Sequence, residues 1–284
     1  MNNFNKTIQM FIFNGDPNGR IMCELSNWNG RVYKVSRSDV FKFEERNDSH
    51  YTGVYFLIGK DDDNNETIYI GEAENIIKRL KQHFDDKNYW NDCIVIISKD
   101  NVLNKAHVKF LEYNFYSLAK SANRFLIINS NIPQCSSVSE YDNAMLEEFI
   151  ENAKLLVNTL GYKAFETIEY KTNSKNEENN NIKFHIHAAR GADATGIIVS
   201  DGFAVLKGSK IAHDTTPSIS ESIIKNREKL IKNKTISDEF IFVNDYVFSS
   251  PSLAAAVVMR RNSNGKTEWR TSEGKTLSSV EENK

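Results

Sequence analysis

The chain has 284 residues, with 36 lysine and arginine residues against 38 aspartate and glutamate, a formal net charge of -2, and 40% hydrophobic residues. That length allows two domains or three small ones, each with a core of its own, and makes one uniform domain the less favoured reading. The near-neutral balance excludes a protein that coats nucleic acid by bulk attraction, although a local basic patch survives such an average.

The opening residues, Met1 to Asp16, lack the apolar length of a secretory signal. From Thr7 to Phe13 and from Arg20 to Leu25 are two strand-like runs joined by Asn14-Gly15-Asp16-Pro17-Asn18-Gly19, which is turn chemistry and predicts an N-terminal hairpin. A strand over Arg31–Val35 and a short helix over Ser38–Glu45, with Ser38 as N-cap, lead to polar Asn47–His50, where a boundary is placed. Gly53–Ile58 and Thr67–Ile70 then read as a hairpin around a charged five-residue loop, Lys60–Asn64. Pairing symmetric about Asp62 sets Tyr55 opposite Tyr69, with both phenols on one sheet face.

A helix over Glu74–Phe84 follows, its stripe Ile76, Ile77, Leu80 and Phe84 flanked by Arg79 and His83 one turn apart. Cys93–Ile97 reads as a buried strand, and Lys105–Lys120 as a helix with Val108, Leu111, Phe115 and Leu118 inward and Glu112 at the border of that stripe. A third helix, Glu140–Leu160, stops before Gly161. The stretch Lys171–Asn181 has no apolar residue and reads as a linker. Beyond it come a hairpin around Ser200-Asp201-Gly202 and helices over Ser218–Lys232 and Pro251–Arg260, the last with Ser250 as N-cap and Pro251 at its first position. The longest apolar run there, Leu253–Met259, is too short to cross a bilayer. Cys23, Cys93 and Cys135 are odd in number and form no CxxC, which fits a reducing compartment and a cytoplasmic protein with no membrane partner.

One constellation asks for a single explanation. Gly53-Val54-Tyr55, Tyr69-Ile70-Gly71, Arg79 eight residues after that second glycine, His83 four further on, and Glu112 on the next helix stand in an order that resembles the GIY-YIG nuclease family. The resemblance spans Tyr51 to Pro133, with Asn129 as a weaker match at its far end, and departs from the family in a longer loop between the two tripeptides and in Val54 for isoleucine. It implies an α+β fold: a GIY-YIG module, that is, a small antiparallel sheet flanked by helices, with an N-terminal β-hairpin region and a small C-terminal α+β domain. The expected division is 1–49, 50–135, a helical extension 136–170, a linker 171–182, and 183–284, the last a possible DNA-holding part.

The resemblance further implies metal-dependent hydrolysis of DNA phosphodiesters, with RNA not excluded as substrate and the oligomeric state, monomer or homodimer, left open. Glu112 is expected to hold one Mg²⁺ or Mn²⁺. Arg79 brings a permanent cation with a fork matched to phosphate oxygens. Tyr55 is expected to act as base or to orient the water, which requires lowering a phenol pKa that starts near 10. Tyr69 and His83 are assigned to hydrogen bonding of phosphate or water, with His83 as a proton relay. Lys105, Lys109 and Asn129 are expected to touch substrate.

Blander readings stand beside these. Tyr55 and Tyr69 also suit a cross-strand aromatic pair, Arg79 and Glu112 an ion pair between helices, and the whole module a binding or regulatory protein on the same scaffold that works without turnover. His185-Ile186-His187 puts two imidazoles on one strand face without a third ligand. The basic run Lys225–Lys234, with Arg260, Arg261 and Lys266 downstream, reads as a solvated face or as a DNA-holding surface. The C-terminal part resembles an uncharacterised domain that accompanies GIY-YIG modules, and its closing stretch, Ser249 to Trp269, resembles domains proposed to sense modified DNA.

Overall fold

A computed structural model describes residues 5–62, 64–86, 89–166, 182–199, 202–213 and 219–282. Residues 171–181 of the expected linker and the turn residues Ser200 and Asp201 lie outside the described residues. The chain divides into two units, residues 1–167 and 168–284.

In the first unit, β1 (Ile8–Ile12) and β2 (Ile21–Leu25) form the expected hairpin, and β3 (Gly30–Ser36) follows. The helix expected next is a single turn, α1 (Val40–Phe43). Ser38 does not cap it; its hydroxyl lies 3.0 Å from Ser36 Oγ instead. Then come β4 (Gly53–Lys60), β5 (Glu66–Ala73), α2 (Ile76–Asp86), β6 (Trp90–Ser98), α3 (Lys105–Ala122), β7 (Leu126–Ile127) and α4 (Glu140–Thr159). Asn104 caps α3 by accepting from the amides of Ala106 and His107, and the His107 ring returns to the Asn104 amide, a reciprocal capping box. Gly161, after α4, takes φ +95°, which suits the residue beyond a helix end.

The strands join in one sheet of order β1-β2-β3-β6-β4-β5-β7, antiparallel except where β7 runs beside β5. β3 pairs with β6 along its length, from Gly30↔Ser98 to Ser36↔Asp92, so the sheet runs across position 49 without a break. β4 and β6 read as continuous apolar runs because both their faces are covered. Val54, Phe56, Ile94 and Ile96 pack with residues of α3 and α4, while Tyr55, Leu57, Val95 and Ile97 pack with residues of α1 and α2. Each such side chain contributes about 1.5–3 kcal/mol on burial.

The hairpin register differs from the expected one. Asp61 accepts from the Asn65 amide N–H at 2.7 Å and from Asn65 Nδ2 at 2.6 Å, and Asn64 takes φ 59°. The loop therefore closes over residues 61–65, and Lys60 pairs with Glu66. Tyr55 consequently opposes Gly71 and Tyr69 opposes Leu57; the two phenols share a face but sit on a diagonal, ring centres 6.2 Å apart.

The second unit holds β8 (Phe184–His187), β9 (Asp193–Val199), β10 (Gly202–Val205), α5 (Glu221–Lys232), β11 (Tyr246–Phe248), α6 (Pro251–Met259), α7 (Gly265–Glu268) and α8 (Leu277–Glu282). Its antiparallel sheet has the order β11-β10-β9-β8. Ser250 caps α6 through the Leu253 amide, as read from the sequence. Trp269 is fully buried, its Nε1 donating to the Pro251 carbonyl at 3.0 Å, so this ring is core and does not reach a nucleobase. Within the basic run, Lys225 pairs with Glu221 and Lys234 with Asp238 at the surface, while buried Arg227 donates to the carbonyls of Val257 and Ala212. His185 and His187 stack, their Nδ1 atoms on Thr195 and Asp193, and no group of three potential metal ligands occurs among the described residues. No described helix is long and apolar enough to cross a membrane.

Candidate active site

The site forms around the margin of the first sheet. β5 is covered on its outer side by β7 only at Thr67 and Ile68. At Ile70 the Asn129 side chain takes over the role of a strand, accepting the Ile70 N–H at 3.0 Å and donating to its carbonyl at 2.7 Å. Side chains from opposite sheet faces can meet around this margin. Tyr69 on β5 and Arg79 and His83 on α2 come from one side, and Glu112 on α3 from the other; with Asn129 to Pro133 they line one open cavity of about 360 Å³.

Tyr55 lies behind this wall and is fully buried. Its phenol is 2.6 Å from Nε2 of His83, itself only 3% exposed, and the Tyr69 and His83 rings meet edge to face at 5.1 Å. Gly71 opposite makes room for this: a Cβ there would overlap the Tyr55 phenol. Gly71→Ala is therefore expected to displace the phenol from His83 and to cost about 1–3 kcal/mol of stability through overpacking. Denaturant unfolding checks it, and an unchanged midpoint would remove the steric role of Gly71.

Residues 51–125 match the GIY-YIG catalytic domain family, and residues 184–281 match a domain of unknown function, DUF4357. The chain carries a GIY-YIG domain. This places residues 51–125 in a nuclease superfamily, whose members act on nucleic acid and are generally metal-dependent. No curated protein and no solved structure matches the chain. The match ends before Asn129, so the clasp on Ile70 and the cavity wall after it stand outside the stretch that defines the GIY-YIG domain.

Tyr55, Glu112 and Arg79 at this site depart from ordinary titration. Burial, and then the neighbouring Tyr69 phenol, push the Tyr55 pKa well up, against the pull of Arg79. The direction is the reverse of the lowering expected from sequence, because the ring is enclosed on all sides. Burial, and then the Glu72 carboxylate, push Glu112 up to about 7, with Lys105, Lys109 and Arg79 acting the other way. Burial works against the Arg79 charge, but hydrogen bonds and proximity to the Tyr55 and Tyr69 phenols raise its pKa, so it stays cationic.

Glu72 was not singled out from the sequence, although its position after Gly71 puts it on the strand face opposite Tyr69 and toward α3. Its carboxylate holds Lys105 at 2.8 Å, so neither that ammonium nor Lys109 lines the cavity, and Lys109 is exposed one turn before Glu112. Both polar atoms of Asn129 are engaged by Ile70, so its amide shapes the wall.

Proposed function

We propose that the GIY-YIG domain is a metal-dependent endonuclease that hydrolyses DNA phosphodiester bonds. The observation that carries this reading is the convergence of Tyr69, Arg79, His83 and Glu112 on one cavity, a set that supplies a carboxylate, a phosphate fork and a proton acceptor.

The metal requirement fits the residues present. Glu112 is a half-buried hard oxygen donor with a second carboxylate, Glu72, nearby. One carboxylate, with the remaining positions left to water and phosphate, suits Mg²⁺ or Mn²⁺. Such an ion, when bound, supplies charge neutralisation at phosphate oxygens and lowers the pKa of water.

Arg79 grips the phosphate and offsets the charge that develops on it. Tyr69 donates to a phosphate oxygen or holds the attacking water. The water's proton goes to His83, which lines the cavity, while the buried Tyr55 phenol behind it holds the His83 ring at 2.6 Å and stays neutral, because a phenol whose pKa is raised does not retain a negative charge at neutral pH. Lys109 meets the backbone phosphates; Lys105 does so only on leaving Glu72. Asn129 contributes by fixing the wall against Ile70.

Supercoiled plasmid incubated with Mg²⁺ or Mn²⁺ tests the proposal. Nicking by the wild type that is lost in Glu112→Ala, with DNA binding retained, is the expected result. Cleavage that persists in the variant would overturn the metal assignment, and a wild type that binds DNA or RNA but never cuts either would overturn the nuclease.

A further inference from the structure

The groups assigned above occupy only part of the cavity. Its remaining wall is Ser130-Asn131-Ile132-Pro133. At about 360 Å³ the space is larger than a phosphodiester group needs and falls in the range, roughly 300–1,000 Å³, of cavities that enclose a whole small molecule.

Ile132 is the unusual element of this wall. It is 63% exposed, and among the large apolar side chains described only Tyr141 is more so. A single exposed aliphatic residue on a convex surface needs no explanation. This one stands on the lip of a concave site otherwise built of polar and charged side chains, apart from Pro133.

The segment is also held in place before any ligand arrives. The Asn129 amide fastens its start to β5, and Pro133 confines its own φ and the backbone of Ile132 to extended conformations. The Ser130 hydroxyl and the Asn131 amide, which carry no hydrogen bond to any described residue, offer donors and acceptors beside this apolar patch. An apolar surface flanked by such groups matches an unstacked nucleobase, which has an apolar face and a polar edge.

We propose that Ile132 and Pro133 form a nucleoside subsite, against which the base next to the scissile phosphate is laid, with Ser130 and Asn131 at its edge. This rests on the nuclease reading for the position of the phosphate. In an intact duplex the base must leave its stack to reach the wall, at a cost of a few kcal/mol that is least for a base already unpaired. The site therefore selects nucleic acid with an unpaired base beside the scissile phosphate, and Ile132 is the specificity-determining residue.

The test uses the full chain and two duplexes that carry 2-aminopurine, one fully matched and one with the fluorescent base left unpaired, titrated in EDTA so that binding is read without turnover. Tighter binding of the unpaired substrate by about tenfold is expected, equivalent to 1.4 kcal/mol of base contact, with the preference falling to about twofold in Ile132→Ser. Ile132 is exposed, so the variant keeps the fold. Equal affinity of the wild type for both duplexes, or a preference that survives in Ile132→Ser, would overturn the subsite. The same duplexes with Mg²⁺ or Mn²⁺ separate the two claims. A binding preference without cleavage of either duplex removes the nuclease and keeps the subsite; cleavage of both at equal rate, without the preference, removes the subsite alone.

Discussion

Glu112→Gln raises the stability of the folded chain by about 1 kcal/mol at pH 8, leaves it unchanged near pH 4, and lowers metal-dependent cleavage by about a thousandfold. The two effects have one cause. Glu112 titrates near 7 in the folded chain against 4.5 as its reference value, chiefly through burial and then through Glu72. Below about pH 4.5 the group is protonated whether folded or unfolded and carries no penalty. Between the two values the folded state holds the extra proton, so stability falls as pH rises, and above about 7 the full cost of the charge is present. The shift taken at face value corresponds to several kcal/mol, and solvent screening of a half-exposed side chain reduces this to about 1. Glutamine keeps the shape and removes the charge. Denaturant unfolding of both proteins at the two pH values checks the result; a glutamine variant less stable than wild type at pH 8 would contradict it.

The cleavage rate of the wild type is expected to rise with pH through about 7 and then to stay level up to about 10. The rise reflects Glu112, which must lose its proton to hold a cation. Protons and metal compete for the same oxygens, so more Mg²⁺ moves the midpoint to lower pH. The plateau reflects Tyr55, whose phenol is held above its ordinary range by burial and therefore does not ionise as the medium becomes alkaline. Tyr55→Phe is expected to lower turnover by about 10- to 100-fold and stability by about 1–3 kcal/mol, since the buried His83 Nε2 loses the partner it has at 2.6 Å. The level part of the profile should survive in the variant. A rate that climbs tenfold per pH unit toward 10 and loses that limb with phenylalanine would identify Tyr55 as a free-standing phenolate base and contradict the assignment of the proton to His83.

Much of this site can be read along the chain because its parts lie on elements with strong local signals. The apolar stripes of α2 and α3 place Arg79, His83 and Glu112 to within a turn, and the two tripeptides mark β4 and β5. What the sequence conceals depends on partners distant in the chain. The pairing of β3 with β6 has no local signature, so residues before position 49 read as a separate region. The rise in the Tyr55 pKa follows from enclosure by neighbours that no window around the residue contains. Lys105 reads as a phosphate ligand until Glu72 is found beside it. The hairpin register differs from the symmetric one by two residues in the partner of Tyr55, through a local detail, the grip of Asp61 on Asn65. In the basic run, the acidic partners of Lys225 and Lys234, Glu221 and Asp238, stand four residues away in the sequence itself.

The placement of β6 between β3 and β4 separates the stretch that carries the motif from the stretch that can stand alone. A fragment excised at residues 51–125 would strip β6 of its neighbour along Asp92 to Ser98 and remove α4, whose Leu146, Ile150 and Ala153 share a core with Val54 and Ile96. It would present to solvent a flat, uncharged strand edge running through Ile94-Val95-Ile96-Ile97, the kind of surface on which chains stack into aggregates. The smallest heritable cassette able to move this chemistry into another polypeptide is therefore longer than its own signature: it has to bring the preceding three-stranded meander and the following long helix with it.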